Sequence, residues 1–167
     1  MFASQVIQLC MIQRIQTIWL FLASVAIFAL FLFPYLQYAD LGGIGKALKV
    51  TGRYSGLDGR EVLEEFFLLQ TIATTLLGVF PIYIIFLFRN RKRQSLLTLL
   101  NAVLLLLFGA WLYASAIAAL AESNQKLSAS NIGLGFVLIS ISIIFLFMAL
   151  GGIRKDEKLI QSADRLR

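Results

Sequence analysis

Histidine is absent from this chain, cysteine occurs once, at Cys10, and proline only twice, at Pro34 and Pro81. Without histidine there is no imidazole to ligate zinc or to carry protons near neutral pH. A single cysteine excludes an intrachain disulfide framework. Acid is scarce as well: nine Asp and Glu face fifteen Lys and Arg, for a net charge of +6 and a pI of about 9.8. In a water-soluble protein that balance points to nucleic acid. Here the basic residues gather at the ends of apolar runs and form no solvated basic face. They are read as orientation signals that contact anionic headgroups, and nucleic acid is not expected as a partner.

Charge is missing altogether from four long stretches, at about residues 15–35, 66–88, 96–120 and 132–153. A helix rising about 1.5 Å per residue crosses a hydrocarbon core of about 30 Å in about 20 residues, so each stretch is long enough to span. The chain is 59% hydrophobic with a mean hydropathy of +0.84, against about 45–50% apolar for a soluble domain. The run LLTLLNAVLLLLF lacks the apolar–polar alternation of a barrel strand, so the spans are helices. The first stretch exceeds the about 7–15 apolar residues of a signal peptide and is read as a retained helix.

These features predict an all-α fold: a polytopic, four-helix transmembrane bundle with a short outer loop and a C-terminal amphipathic helix. Residues 1–10 are an extension, residues 11–153 the bundle, and residues 154–167 a cytoplasmic tail. With the amino terminus inside, Arg14, Arg89, Arg91, Lys92, Arg93, Arg154, Lys155, Lys158, Arg165 and Arg167 fall on the cytoplasmic side. Only Lys46, Lys49, Arg53, Arg60 and Lys126 fall outside. The short turn RNRKR decides the orientation, because it abuts a span directly. Both termini are therefore expected in the cytoplasm. Pro34 terminates the first helix. The outer loop is rich in glycine, and its middle, ALKVTGRYS, has weak strand character compatible with a small hairpin. REVLEEF is read as a short amphipathic lead into the second helix. LGGIGK fails as a phosphate loop: position 41 is Leu where the pattern needs Gly, and position 47 is Ala where it needs Ser or Thr.

No charged residue lies inside a span, and ion-coupled carriers usually need one. The neutral polar groups are therefore the candidates for contact. Gln70, Thr74, Gly78 and Pro81 recur at helical spacing on one face of the second helix, and Pro81 is expected to kink it. Asn101 needs a partner in lipid, and Tyr83 lies at matching depth on the neighbouring helix. The short turn places the second and third helices side by side, with Gly78 opposite Gly109. A small-residue stripe of Ala110, Ala114 and Ala118 permits close approach. In the tail, Leu159, Ile160, Ala163 and Leu166 share an apolar face, while Lys158 and Arg165 add attraction to anionic lipid. That surface suits the inner headgroup layer or a protein partner. No catalytic, cofactor-binding or metal-ligating set is found. Asp40, Glu64, Glu65 and Glu122 lie near the outer surface, where paired carboxylates can do acid–base work, but no His, Cys or metal pattern accompanies them.

The opening MIQRIQTIWLFLA at residues 11–23, the four spans, and GIRKDEKLIQSADRLR at residues 152–167 resemble domain-of-unknown-function family 4293. These are small four-helix inner-membrane proteins of Bacteroidota. The resemblance covers nearly everything from Met11 to Arg167. It implies a fold and a compartment, the bacterial inner membrane, and carries no activity. The functional expectation is a non-enzymatic accessory, scaffold or assembly subunit without cofactor. It would be embedded in the bilayer beside a membrane-protein partner or a second copy. The alternative is a small channel or carrier for a neutral or apolar solute.

Overall fold

The computed structural model describes the backbone of residues 2–39, 43–57, 60–88 and 90–164, and the side chains of residues 15–39, 43–56, 62–88 and 90–157. Among the described residues there are four α-helices: α1 (Phe2–Phe28), α2 (Leu68–Phe86), α3 (Arg91–Glu122) and α4 (Leu134–Asp164). Between α1 and α2 the chain forms four strands: β1 (Leu36–Ala39), β2 (Gly45–Lys49), β3 (Gly52–Leu57) and β4 (Arg60–Phe66). They make one antiparallel sheet in the order β1-β2-β3-β4. The all-α expectation is thus corrected to four helices plus a four-stranded sheet.

The sheet is built from the chain between the first two helices, Leu36–Phe66, where hydrogen bonds between strands satisfy the backbone groups they bring together. The hairpin in ALKVTGRYS is β2–β3, with Lys49 opposite Gly52 across a two-residue turn. Gly43 supplies the left-handed backbone, at φ +76°, in the preceding turn. The segment read as an amphipathic lead, REVLEEF, is instead β4, paired along β3 from Phe66 to Arg60. A register shift between Arg53 and Tyr54 lets Gly52 approach β4 so closely that a Cβ would strike the Glu65 carbonyl. Along β1, burial alternates, with Leu36 and Tyr38 buried and Gln37 and Ala39 exposed. Leu36, Tyr38 and Leu48 join the core on the bundle side.

Each helix boundary has a local cause. A 3-10 turn at Ala29–Phe31 follows α1, and the chain leaves helical geometry before Pro34, which disfavours it. This stops the first helix short of the expected residue 35. At the end of α3, Asn124 adopts φ 51°, and the amide of Gln125 returns to the Leu120 carbonyl at 3.0 Å. Pro81 lies within α2, which continues through it to Phe86. α4 runs on past Ile153, so residues 154–164 prolong that helix rather than starting a separate one.

Three helical segments are long and apolar enough to cross a membrane: Leu68–Phe86, Arg91–Glu122 and Leu134–Glu157. The apolar part of α1, Ile15–Phe31, is shorter. No more than a third of each apolar window is buried inside the molecule. The rest presents Leu, Ile, Val and Phe outward, a surface consistent with a hydrocarbon surrounding.

α1 packs most extensively on α4 and α2, and α3 on α4, while the α2–α3 contact is the thinnest of the four. The expected close α2–α3 seam is therefore redistributed. Gly78 meets the Phe28 ring of α1, and Gly109 meets Ile139 of α4. Ala110, Ala114 and Ala118 are exposed, and Ala102, Ala116 and Ala119 take the buried positions. A short turn joins helix ends without dictating which faces meet.

At the sheet end, the segment before α4 docks on the segment before β1. Gly133 N–H donates to the Tyr35 carbonyl (2.9 Å) and Gly135 N–H to the Pro34 carbonyl (3.0 Å). Leu36 also bridges to Ile132. Gln125 Nε2 donates to the Ala39 carbonyl at 2.7 Å. Thr71 Oγ1 donates to the Val50 carbonyl at 3.2 Å, tying the sheet to α2.

Candidate functional site

At the end opposite the sheet, a charge is buried. Asp156 of α4 is 0% exposed. Its Oδ2 accepts from Gln16 Nε2 of α1 at 2.5 Å and from Arg91 Nη1, at the start of α3, at 2.6 Å. Charge-assisted bonds of this length are among the stronger contacts available to a helix end. Gly152, one turn earlier on α4, makes room: a Cβ there would meet Gln16 Cγ at 2.8 Å. The other carboxylate oxygen, Oδ1, has no hydrogen bond among the described residues.

From this cluster a polar ladder climbs the buried face of α3. Gln94 Nε2 donates to the Ile84 carbonyl of α2 at 3.3 Å, and Thr98 Oγ1 to the Gln94 carbonyl at 2.8 Å. Asn101 follows, fully buried, with neither amide atom hydrogen-bonded among the described residues. On α1, Ser24 Oγ donates to the Gly78 carbonyl at 2.6 Å. The ladder then stops. The next buried positions on α3 are Ala102, Leu105, Phe108 and Leu112, packed in one core with Ile27 and Leu146. Polar character returns only at Ser115, about 20 Å beyond Asn101 along the helix.

At the sheet end, Gln70 Nε2 donates to Ser115 Oγ at 3.0 Å. Arg53 of β3 donates to Glu122 at the end of α3, at 2.8 Å. Burial opposes the Arg53 charge, but the hydrogen bond to Glu122 and the nearby Tyr38, Glu122 and Glu65 outweigh it, and its pKa is raised. Lys46 pairs with Glu64 at 3.3 Å. Glu64 and Glu122 are thus each matched to a cation rather than to one another, and Asp40 lies outside the described residues. Lys46 of LGGIGK stands in a strand, not at a helix N-terminus. A surface cleft of about 430 Å³ opens on the sheet between Gln37, Ala39, Gly45, Ala47, Tyr54 and Gly56, with no carboxylate among the described residues of its lining. Among the described residues, no group of three or more Cys, Asp or Glu side chains is placed to hold a metal ion.

The residues singled out from sequence are distributed as follows. Gln70, Thr74, Gly78 and Pro81 all lie on the buried face of α2. Thr74 Oγ1 turns back to the Gln70 carbonyl at 2.7 Å, and Gly78 is covered by Phe28. Tyr83 is 54% exposed and stacks with Phe80, so it is not the partner of the fully buried Asn101. Ala114 is exposed. The side chains of Lys158, Leu159, Ile160, Ala163, Arg165 and Leu166 lie outside the described residues. Sequence reasoning missed Gln16, Arg91 and Asp156. The signal for Asp156 is the heptad-like stripe Ser142, Leu146, Ala149, Ile153, each buried, whose next member is Asp156.

A family model described as "Domain of unknown function (DUF4293)" matches residues 12–166. No curated protein matches the chain.

Proposed function

The chain belongs to the DUF4293 family, whose function is unknown, and from that premise we propose that it is a non-enzymatic accessory or scaffold protein of the bacterial inner membrane. In this reading α1 is the fourth span, both termini are cytoplasmic, and the sheet stands on the outer surface. The observation that carries it is the apolar stretch Leu105, Phe108 and Leu112 between two polar zones. A path for a neutral solute would have to pass side chains packed at interior density. The α2 face supports packing rather than conduction, because its Thr74 hydroxyl and Gly78 carbonyl are already bonded within the protein. The orientation rests on Arg91, Lys92, Arg93, Arg154 and Lys155, which share the end opposite the sheet. Basic residues flanking spans are retained inside, where they meet anionic headgroups.

Purified protein in liposomes should pass glycerol and urea no faster than empty liposomes. Flux above that background, blocked by enlarging Leu105 to Trp, would overturn the scaffold reading in favour of a channel. Orientation is checked separately. With Cys10 replaced, single cysteines at the exposed positions Gly56 and Lys92 are treated in intact cells with a membrane-impermeant thiol reagent. Position 56 should label and position 92 should not; the opposite pattern reverses the topology.

A further inference from the structure

The two edges of the sheet differ. Along β1, Leu36 bridges to Ile132 and Gln125 donates to the Ala39 carbonyl, so the α3–α4 connection covers that edge. β4 forms the other edge and, among the described residues, pairs only with β3. β1 alternates buried and exposed residues, as a strand with one face on a core does. β4 does not. Every described side chain from Val62 to Phe66 is exposed, with Val62 at 48%, Leu63 at 47% and Phe66 at 53%. The strand therefore overhangs the bundle, held by β3 alone, with the backbone groups of its far edge turned outward. Such an edge is a template for another strand.

We propose that β4 is the docking edge for a second copy of this chain, whose β4 pairs with it antiparallel and joins two sheets into one. Charge selects that occupant and its register. Charged residues commonly guard an edge, and β4 carries Glu61, Glu64 and Glu65 beside Arg60. Most self-pairings that overlap the greater part of the strand press Glu against Glu. Centring on Leu63 sets Glu61 opposite Glu65, centring between Val62 and Leu63 sets Glu61 opposite Glu64, and centring on Glu64 sets it opposite itself. Centring between Leu63 and Glu64 brings no opposite charges together. Centring on Val62 sets Arg60 opposite Glu64 at both ends, Glu61 opposite Leu63, and Val62 opposite Val62, with no like charges face to face. Among the described residues Glu64 meets Lys46 through Oε2 alone, so its other oxygen stays open to Arg60 of the second copy. The symmetry also suits a bilayer. The two-fold axis of an antiparallel pair stands perpendicular to its sheet. One face of this sheet rests on the helix ends: Leu36, Tyr38 and Leu48 join the core, Thr71 in the first turn of α2 reaches the Val50 carbonyl, and Arg53 reaches Glu122 at the end of α3. The axis therefore runs along the helices, and both copies keep one orientation in one membrane. The inference holds whether or not the protein is a scaffold.

In this register the two copies of Val62 face each other with Cα atoms about 4.5–5.5 Å apart, within disulfide reach, while the two copies of Phe66 lie more than about 20 Å apart. With Cys10 replaced, Val62→Cys should give a disulfide-linked dimer on mild oxidation of native membranes, and Phe66→Cys should not. Arg60→Glu or Glu64→Arg, each added to Val62→Cys, should remove most of the linked dimer. Coexpressing those two charge variants should restore it, because the mixed pair again sets opposite charges face to face at both ends. Restoration also shows that each variant still folds. The proposal is overturned by the absence of linking at position 62, by linking at position 66 as ready as at 62, or by linking of position 62 to a different protein. It is equally overturned by a linked dimer that survives the charge changes, or one that the mixture fails to restore.

Discussion

Arg91→Met should destabilise the protein by about 3–5 kcal/mol, more than Asp156→Leu does, although the two changes break the same ion pair. The asymmetry follows from burial. The Asp156 side chain is 0% exposed and that of Arg91 16%. Removing Arg91 strands a carboxylate with no access to water, held among the described residues only by the Gln16 amide. Removing Asp156 leaves a guanidinium that still reaches solvent. Combining Arg91→Met with Asp156→Leu should recover much of the loss, because an apolar pair of similar size replaces a desolvated ionic one. Equilibrium unfolding of the four proteins in one detergent gives the cycle. Equal costs for the two single changes, or a double variant as unstable as their sum, would show that the charges are solvated and uncoupled. The same contact sets a boundary in the tail: truncation after residue 157 keeps Asp156, whereas truncation after residue 155 removes it and should be much less stable.

The four helices are legible in the sequence because lipid imposes a simple rule: a run of about 20 residues without charge has nowhere else to go. The rule is silent about faces. Gly78 and Gly109 look matched in depth, yet one serves the Phe28 ring and the other Ile139. Which helix a small residue admits depends on the bundle's closure, a relation among all four helices. Asp156 was hidden by the same rule. It follows RK at residues 154–155, outside any apolar run, and reads as part of a solvated tail. Only the continuing buried stripe of α4 would have placed it inside.

The sheet was half legible. The β2–β3 hairpin has local causes: a tight turn, Gly52, and β-branched or aromatic neighbours. β1 and β4 do not. LQYA sits at the end of an apolar run and looks like helix, and REVLEEF fits helical and strand periods equally well. Both become strands because β2 and β3 offer them edges, and such pairing is not written in any short window. The Arg53–Glu122 pair was illegible for the same reason. Its two residues are brought together by the sheet folding back on the bundle.

That docking makes Gly133 the most sensitive position at the sheet end. Gly133→Val should cost about 3 kcal/mol or more, beyond ordinary overpacking of a side chain. A Cβ at Gly133 would collide with the Pro34 carbonyl oxygen and press on the Tyr35 carbonyl carbon. Both are backbone atoms, so no rotamer change can yield. Relief requires the two segments to part, which breaks the Gly133–Tyr35 and Gly135–Pro34 hydrogen bonds and the Leu36–Ile132 bridge. The start of α4 would then lose its hold on β1. Gly151 is the matched control, since a Cβ there meets nothing within 4 Å and the residue is helical. Gly151→Ala should stabilise by about 0.5–1 kcal/mol through the unfolded chain alone. Hydrogen exchange reports where the damage lies: in Gly133→Val the amides of β1 should exchange faster while those of central α3 stay protected. Should Gly133→Val unfold like the parent, the contact between the two outer segments would be an incidental neighbour of the fold rather than the joint that seats the sheet on the bundle.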